Sequence, residues 1–400
     1  MRKIAVLIVS FIFILSGCVA TVETEDENIV IDEKVEIVEK IDETIQIIPE
    51  IEEIIIEEPD LVQEMLNNMS LDEKIGQLFM PAFRKDLNGQ EILQVNDEIT
   101  EKIAQYHIGG VILFAENLDT VEQTQKLTSD LQDLSQIPLF IGIDEEGGTV
   151  SRLAYSKIQH ERFPNASKLT TIEEVVYSAS VMGEELLELG INVNFAPVAD
   201  VNTNSKNTII GNRAFSSDAL LSSKMVSAFV LAMEKTGVSA AAKHFPGHGD
   251  TYADSHFGAV SVNHDLERLQ TVEFLPFKSA IESSVDFIMV GHISVPNVTG
   301  NDIPATLNEE IINLLREDLA FDGVAISDAF DMQAITKVYG VEQSAVMAIN
   351  AGIDIILVPS DLDLQYNAVK TAVETGEISI DTINDSVYRI LSLKIEKGLL

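Results

Sequence analysis

The chain has 400 residues, with 26 Lys and Arg against 65 Asp and Glu, and a formal net charge of −39. This acidic balance argues against nucleic-acid binding, because no basic patch is available to neutralise phosphates. The chain has one cysteine, Cys18, which excludes an intramolecular disulfide.

Residues 1–18 have the pattern of a secretory signal peptide. Arg2 and Lys3 precede the apolar run AVLIVSFIFIL, and the segment ends in LSGC, with Cys18 last. This end resembles the lipobox of bacterial lipoproteins, which implies a lipidated Cys18, a membrane anchor and an extracytoplasmic location. A plain signal peptide and an uncleaved anchor helix are the alternatives, although the apolar run is short for a membrane span.

Residues 19–60 differ in composition from the rest of the chain. They mix acidic residues with Ile and Val and contain no glycine. Because like charges repel, we expect an extended acidic linker between the anchor and the following domain. The alternation of Ile with Glu also allows a strand or an amphipathic helix that forms when a partner binds.

From residue 61 onward, continuous apolar runs alternate with amphipathic segments. The apolar runs are predicted strands, and each is followed by a predicted helix: FMPAF, IGGVILF, PLFIGI, NVNFAPVADV, VSAAAKHF, DFIMVGHISVP, GVAIS and DIILVPS. Gly190 and Gly237 are predicted to end two of these helices. Continuous apolar strands that alternate with helices indicate parallel βαβ units, and this number of units predicts a single (β/α)8 barrel over residues 61–400. A doubly wound open sheet is the main alternative, but no glycine-rich phosphate turn follows the first strand.

Polar residues follow these predicted strands at the point where each strand ends. They are Asp144 and Arg152 after the third strand, Asp200 after the fourth, Lys243 and His244 on the fifth, His292 on the sixth, and Ser327 and Asp328 on the seventh. Catalytic groups of such barrels lie at the carboxyl ends of the strands, so we expect these side chains to form the active site. For Asp200, a helix N-cap is an equal alternative.

The loop KHFPGHGDTYADSH after the fifth strand is the densest group of polar residues. Its proline and glycines exclude a continuous helix, and it ends with Asp254 and His256. A carboxylate such as Asp328 opposite a proton donor is the arrangement that cleaves a glycosidic bond. A histidine can serve as the donor near neutral pH, and a neighbouring Asp can orient it. These residue types do not by themselves distinguish a glycosidase from another barrel hydrolase.

Four motifs resemble the bacterial β-N-acetylglucosaminidases of glycoside hydrolase family 3. They are IDEEGGTVSRL, IIGNRAF, KHFPGHGDTYADSH and ISDAFDM, in the order in which that family carries them. The resemblance covers residues 61–400. One departure is Thr149, which stands where an arginine is common in the family.

The resemblance implies a role for each matching residue. Asp328 would be the nucleophile that forms a covalent glycosyl-enzyme intermediate, and His256, paired with Asp254, would be the general acid/base. The −1 subsite, which holds the N-acetylglucosamine unit, would be formed by Asp144, Arg152, Arg213, Lys243 and His244. The implied substrate is a glycan with terminal N-acetyl-β-glucosamine, such as a peptidoglycan fragment, and no cofactor or metal is expected. Because the predicted barrel extends to the last residues, we expect no second domain to supply the proton donor.

Four alternatives remain open at this level. Within the family, the chain could be a phosphorylase that passes the sugar to phosphate, or a β-glucosidase-like enzyme of broader specificity. A metal-dependent barrel hydrolase would use His244, His248, His256 and Asp328, although its usual His-x-His is missing from the first strand. A surface-binding lipoprotein without activity is the fourth.

Overall fold

The structure is a computed structural model that describes residues 60–251 and 260–400. The predicted signal peptide, Cys18, the acidic linker up to residue 59, Asp254 and His256 lie outside the described residues.

Within the described part, helices and strands alternate along the chain. The helices are α1 (Leu61–Asn68), α2 (Leu71–Gln77), α3 (Asp97–Tyr106), α4 (Val121–Leu134), α5 (Ile172–Glu188), α6 (Ala219–Thr236), α7 (Leu266–Arg268), α8 (Phe274–Glu282), α9 (Pro296–Thr299), α10 (Glu309–Asn313), α11 (Gln333–Tyr339), α12 (Val341–Ala351), α13 (Leu362–Thr375) and α14 (Ile380–Glu396). Two π-helical segments, Leu269–Glu273 and Leu314–Asp318, continue α7 and α10.

Most strands are short, and those of the main sheet are buried. They are β1 (Phe79–Met80), β2 (Gly110–Leu113), β3 (Phe140–Ile143), β4 (Glu145–Gly147), β5 (Val150–Ser151), β6 (Val193–Asn194), β7 (Ser239–Phe245), β8 (Val260–Ser261), β9 (Phe287–Val290), β10 (Ile293–Ser294), β11 (Val324–Ser327) and β12 (Ile356–Leu357). Each predicted strand therefore contains an observed one, although most observed strands are shorter than the apolar runs.

The main sheet is parallel and six-stranded, in the order β11-β9-β7-β6-β3-β2. A second parallel ladder pairs β1 with β12. Single bridges join Ala82 to Ile112 and Ile326 to Ile355, so this ladder contacts both ends of the main sheet. The predicted α/β class is confirmed, and the fold is a curled parallel sheet with helices in the connections.

Both faces of the sheet are covered, which explains why its strands carry continuous apolar sequence. All four residues of β3 and of β11 are buried. The rings of Phe140 and Phe287, on strands from different parts of the sheet, meet edge to face at 5.2 Å. This contact places part of the core inside the curve of the sheet.

Local sequence fixes where the helices begin and end. Ser70 and Glu73 form a capping box at the start of α2, and Thr171 and Glu174 form one at the start of α5. Helix α6 ends at Gly237, whose φ of 95° is left-handed, as the sequence predicted. No helix in residues 60–251 or 260–400 is both long and apolar enough to cross a membrane.

Buried charges at the amino ends of the strands attach the last helix, α14. The Nζ atom of Lys394 is fully buried, donates to Gln77 Oε1 at 2.7 Å and to Gly109 O at 3.0 Å, and lies 4.9 Å from the Phe140 ring centroid. Buried Asp354 pairs with Arg389 of the same helix at 2.8 Å. These contacts are remote from the polar residues described next, which follow the carboxyl ends of the strands.

Candidate active site

The side chains predicted to form the site meet at the carboxyl edge of the curled sheet. Asp144 directly follows β3, Lys243 and His244 belong to the end of β7, and Asp328 directly follows β11. These strands run in the same direction in one parallel sheet. Their carboxyl ends therefore bring together residues that are distant in sequence.

Lys243 is the centre of a buried charge network. Its side chain is 2% exposed, and Nζ lies 2.7 Å from Asp144 Oδ1 and 2.7 Å from Glu146 Oε1. The other Asp144 oxygen accepts a hydrogen bond from Arg152 Nη2 at 2.9 Å. Asp144 therefore links two cations, and the antiparallel pair β4–β5 carries Arg152 back toward it.

Glu146 fixes Arg213 by a two-pronged contact. Nε and Nη2 of Arg213 donate to the two Glu146 oxygens at 2.9 and 2.7 Å, and Nη1 donates to Ile209 O at 3.2 Å. Such paired geometry suits the planar guanidinium and restricts its orientation. Arg213 is thereby fixed in the same network as Lys243.

The cations keep both carboxylates ionised. Burial alone would raise the pKa of Glu146, but Lys243 and Arg213 outweigh it and lower that pKa to about 2. Burial likewise opposes ionisation of Asp144, and Lys243 and Arg152 hold its pKa well below the usual range. Burial lowers the pKa of Lys243, yet Asp144 and Glu146 raise it overall. The network is therefore fully charged at neutral pH.

Asp200 organises the turn after β7. Its side chain is buried, and Oδ2 lies 2.8 Å from Nδ1 of His244. Its Oδ1 accepts the backbone N–H of His248 at 2.6 Å and that of His244 at 3.3 Å. The alternative of a helix N-cap for Asp200 is wrong, because these partners belong to a strand end and a loop.

His248 is a buried neighbour of both His244 and Asp328. Its ring meets that of His244 edge to face at 5.7 Å, and its Nδ1 lies 2.7 Å from Thr251 Oγ1. Burial lowers the pKa of His248, while the negative charges of Asp200 and Asp328 act in the opposite direction. His248 is therefore within electrostatic range of both Asp200 and Asp328.

Asp328 is held at the backbone and remains half-buried. Its N–H donates to Val290 O at 2.8 Å, and its Oδ1 accepts the N–H of Ala329 at 2.8 Å. The fully buried His292 contacts the carbonyl oxygen of Ala329 at 3.0 Å and Thr306 Oγ1 at 2.8 Å. His292 thus supports the turn that carries the Asp328 carboxylate.

The structure brings together the predicted residues Asp144, Arg152, Arg213, Lys243, His244 and Asp328. Glu146 also belongs to the site but was not among the predicted residues, although it lies in the motif IDEEGGTVSRL two residues after Asp144. The predicted −1 subsite did hold a usable signal. It contained three cations, Arg152, Arg213 and Lys243, whose charge Asp144 alone could not balance, which indicates a further carboxylate. Nε of Arg152 is buried and has no hydrogen-bond partner within the described residues, as expected of a group that a ligand would satisfy.

The metal-dependent alternative requires several ligands that converge on one ion. Within residues 60–251 and 260–400, no group of three or more His, Cys, Asp or Glu side chains is arranged to hold an ion. The Nδ1 atoms of His244 and His248 contact Asp200 and Thr251. His256, another proposed ligand, lies outside the described residues.

A half-buried carboxylate at the same carboxyl edge of a curled parallel sheet as buried imidazoles and cations is a site suited to glycoside hydrolysis. The model for the glycosyl hydrolase family 3 N-terminal domain matches residues 70–393, and the chain belongs to this family. The resemblance inferred from the four motifs is thereby confirmed.

Named relatives in this family are β-hexosaminidases. The chain is 39% identical over 329 residues to β-hexosaminidase A of Pseudoalteromonas piscicida, covering 74% of this chain and 55% of that protein. It is 31% identical over 341 residues to β-hexosaminidase LpqI of Mycobacterium tuberculosis, covering 82% and 83% of the two chains. The chain thus spans about half of the first relative and most of the second.

A solved structure with the same fold is a family 3 β-N-acetylglucosaminidase from Paenibacillus sp. The TM-score is 0.78 at 38% sequence identity, and the match covers 83% of this chain and 63% of that one. The fold and the family therefore agree with the residues at the site.

Proposed function

We propose that this chain is a retaining exo-β-N-acetylglucosaminidase, which removes terminal N-acetyl-β-glucosamine from glycans. The observation that carries the proposal is the half-buried Asp328 carboxylate at the same sheet edge as the network around Lys243. The names of the relatives, β-hexosaminidase and β-N-acetylglucosaminidase, support the substrate class.

In the proposed reaction, the carboxylate of Asp328 attacks the anomeric carbon of the terminal sugar. The bond from that carbon to the leaving oxygen breaks, and the oxygen takes a proton from the general acid. Water then attacks the glycosyl ester, gives its proton to the same group and releases the sugar with its β-configuration retained. The Asp328 carboxylate is regenerated.

The general acid/base in this proposal is His256, oriented by Asp254, as the family resemblance implies. Both lie outside the described residues, so their roles depend on sequence. A histidine suits the task, since its ordinary pKa lies close to neutral pH and allows it to give and accept a proton.

The sugar would be held by Asp144, Arg152, Arg213, Lys243 and His244. Asp144 is ionised and can accept hydrogen bonds from hydroxyl groups, while Arg152 and Arg213 can donate to them. Glu146 and Asp200 fix the orientations of Arg213 and His244 before substrate arrives. Such preorganisation favours the transition state because no side chain must be reoriented during the reaction.

We also propose that the curled sheet closes into a complete eight-stranded barrel. The ladder of β1 with β12 and the bridges Ala82–Ile112 and Ile326–Ile355 support this closure. A closed barrel would surround the site with loops from every strand.

We further propose that the enzyme acts outside the cytoplasm on peptidoglycan fragments, as a lipoprotein anchored through Cys18 and the acidic linker at residues 19–60. The support is the signal-peptide pattern with its lipobox. Incorporation of labelled fatty acid into the wild-type protein, and its loss in Cys18→Ser, would test the anchor. Mass analysis of sugars released from muropeptides would test the substrate.

The catalytic assignment is tested with an aryl N-acetyl-β-glucosaminide. We expect Asp328→Asn to lower kcat by at least about a thousandfold, since the nucleophile is lost. Exposed Asp322, just before β11, gives the matched control Asp322→Asn, which should retain activity. Wild-type enzyme should release free sugar at the same rate with and without phosphate. Sugar-1-phosphate as the product would favour the phosphorylase, and unchanged turnover in Asp328→Asn would refute the assignment.

A further inference from the structure

Two short stems flank residues 252–259, the segment that includes Asp254 and His256. The first stem, residues 247–251, follows β7, and the second, residues 260–264, contains β8. Both are anchored to the fold. The side-chain amide of Asn207 donates to His248 O at 2.8 Å, and β8 pairs with β10 through Val260 and Ile293.

A side-chain contact joins one stem directly to the other. Nε2 of His264 lies 2.7 Å from Oδ2 of Asp250, and both side chains are about three-quarters buried, with 23% and 26% exposed. Partial burial strengthens such a charge-assisted hydrogen bond relative to one at the open surface. The pair therefore joins residue 250 of the first stem to residue 264 of the second.

The pair is itself supported by a buried carboxylate. Glu273 is 1% exposed; its Oε1 lies 4.0 Å from His264 Nε2 and 3.1 Å from Arg268 Nη2. Gly247, with φ of 124°, packs so closely on Glu273 that an added Cβ would lie 2.9 Å from the Glu273 Cβ. The cluster of Asp250, His264, Arg268 and Glu273 is thus built against the turn that carries His248.

We propose that Asp250 and His264 are a positioning pair that sets the placement of the proton donor carried between the two stems. The inference rests on the proposed function, in which His256 protonates the leaving oxygen. Proton transfer requires the donor within hydrogen-bond reach of that oxygen, and a displacement of about 1 Å can cost about a hundredfold in rate. The −1 subsite does not include the pair, so binding of the sugar is expected to be independent of it.

The experiment compares two substrates whose leaving groups differ in their need for a proton. Dinitrophenyl N-acetyl-β-glucosaminide needs none, whereas chitobiose needs full protonation of its leaving hydroxyl. In His264→Ala we expect kcat/KM on chitobiose to fall about 10- to 100-fold. The kcat/KM on the dinitrophenyl glycoside reports only the first step, which needs no proton for that substrate, and should change less than about threefold. His264→Gln keeps a donor near the Nε2 position and should recover much of the chitobiose activity. His107→Asn, a histidine at the end of α3, is the control.

Two further measurements separate positioning from loss of structure and from failure of the proposed function. Asp250→Ala combined with His264→Ala should cost no more than the larger single loss, because both changes remove the same contact. Hydrogen exchange of peptides spanning the two stems should accelerate in His264→Ala, with the helices unchanged, whether or not the enzyme is a glycosidase. Equal losses on both substrates, or no loss on chitobiose, would overturn the pair's role. Absence of wild-type activity on the dinitrophenyl glycoside would instead overturn the proposed function.

Discussion

Asp200 and His244 are 44 residues apart in sequence, and the structure places Asp200 Oδ2 2.8 Å from His244 Nδ1. The same carboxylate accepts the backbone N–H of His248 at 2.6 Å. Because the carboxylate accepts a hydrogen bond at Nδ1, the tautomer of His244 with a proton on Nδ1 is favoured. Nε2 of the same ring is then directed away from Asp200. The shape of the turn after β7 and the orientation of His244 therefore depend on one buried carboxylate.

The first prediction concerns this carboxylate. Asp200→Asn keeps the size of the side chain but removes the charge that orients His244, and we expect kcat/KM on an aryl N-acetyl-β-glucosaminide to fall about 10- to 100-fold. Steady-state kinetics check this. The exposed Asp133 on α4 supplies a control, Asp133→Asn, with unchanged kinetics. Full activity in Asp200→Asn would mean that His244 needs no orienting partner.

A second prediction concerns Glu146, which the sequence did not single out. Glu146→Gln removes the carboxylate that contacts both Lys243 and Arg213, and Lys243 keeps its contact with Asp144. We expect kcat/KM to fall at least about tenfold and the free energy of unfolding to fall by about 3–5 kcal/mol. The neighbouring Glu145 is also buried but has a backbone partner, Leu153 N–H, instead of a cation. Glu145→Gln should therefore have the milder effect, and an equal effect of the two variants would contradict this account.

A third prediction follows from the lowered pKa of Glu146, which is about 2 in the folded protein. The ordinary pKa of about 4.3 applies after unfolding, so the unfolded state binds protons first as the pH falls. The stability that Glu146 contributes is thus complete above about pH 5 and declines as the pH falls toward 2. The free energies of unfolding of wild type and Glu146→Gln, measured in urea, should differ most at neutral pH and converge as the pH falls from about 5 to 2. A constant difference over this range would show that the charge of Glu146 does not matter.

A fourth prediction concerns Lys394, whose pKa burial lowers to about 7. An unfolded lysine has a pKa of about 10.4, so between these values the unfolded state holds a proton that the folded state lacks. The contribution of Lys394 to the free energy of unfolding of the wild-type protein should therefore increase as the pH rises from about 7 to 10. In Lys394→Met this contribution is missing, whatever the cost of leaving Gln77 and Gly109 without their donor. Parallel stability curves for the two proteins in urea unfolding would contradict the assignment.

Much of the fold was readable because strands buried on both faces leave continuous apolar runs. Val324–Ser327 and Phe140–Ile143 are examples, and the polar residue after each, Asp328 or Asp144, marked the site edge. The lengths of strands were less readable, since NVNFAPVADV forms only Val193–Asn194 and then a loop. An apolar sequence indicates that a segment is buried. Loops next to a core are buried as strands are, so an apolar run does not give the length of the strand within it.

Pairings between distant residues were not readable from one sequence. Glu146 and Arg213 are 67 residues apart, and nothing in either motif names the other as its partner. Asp200 had an equally good local explanation as a helix cap, which only the positions of His244 and His248 exclude. Lys394 occurs in an ordinary amphipathic helix, so its complete burial depends on how α14 packs against Gln77 and Gly109.

In the proposed reaction, Asp328 attacks the anomeric carbon and water later displaces it, so that two inversions restore the configuration. Proton NMR of the first sugar formed from an aryl N-acetyl-β-glucosaminide, recorded before mutarotation, tests this most directly. We expect the β-anomer of N-acetylglucosamine to appear first. Initial appearance of the α-anomer would mean a single displacement by water, and Asp328 would not be the nucleophile.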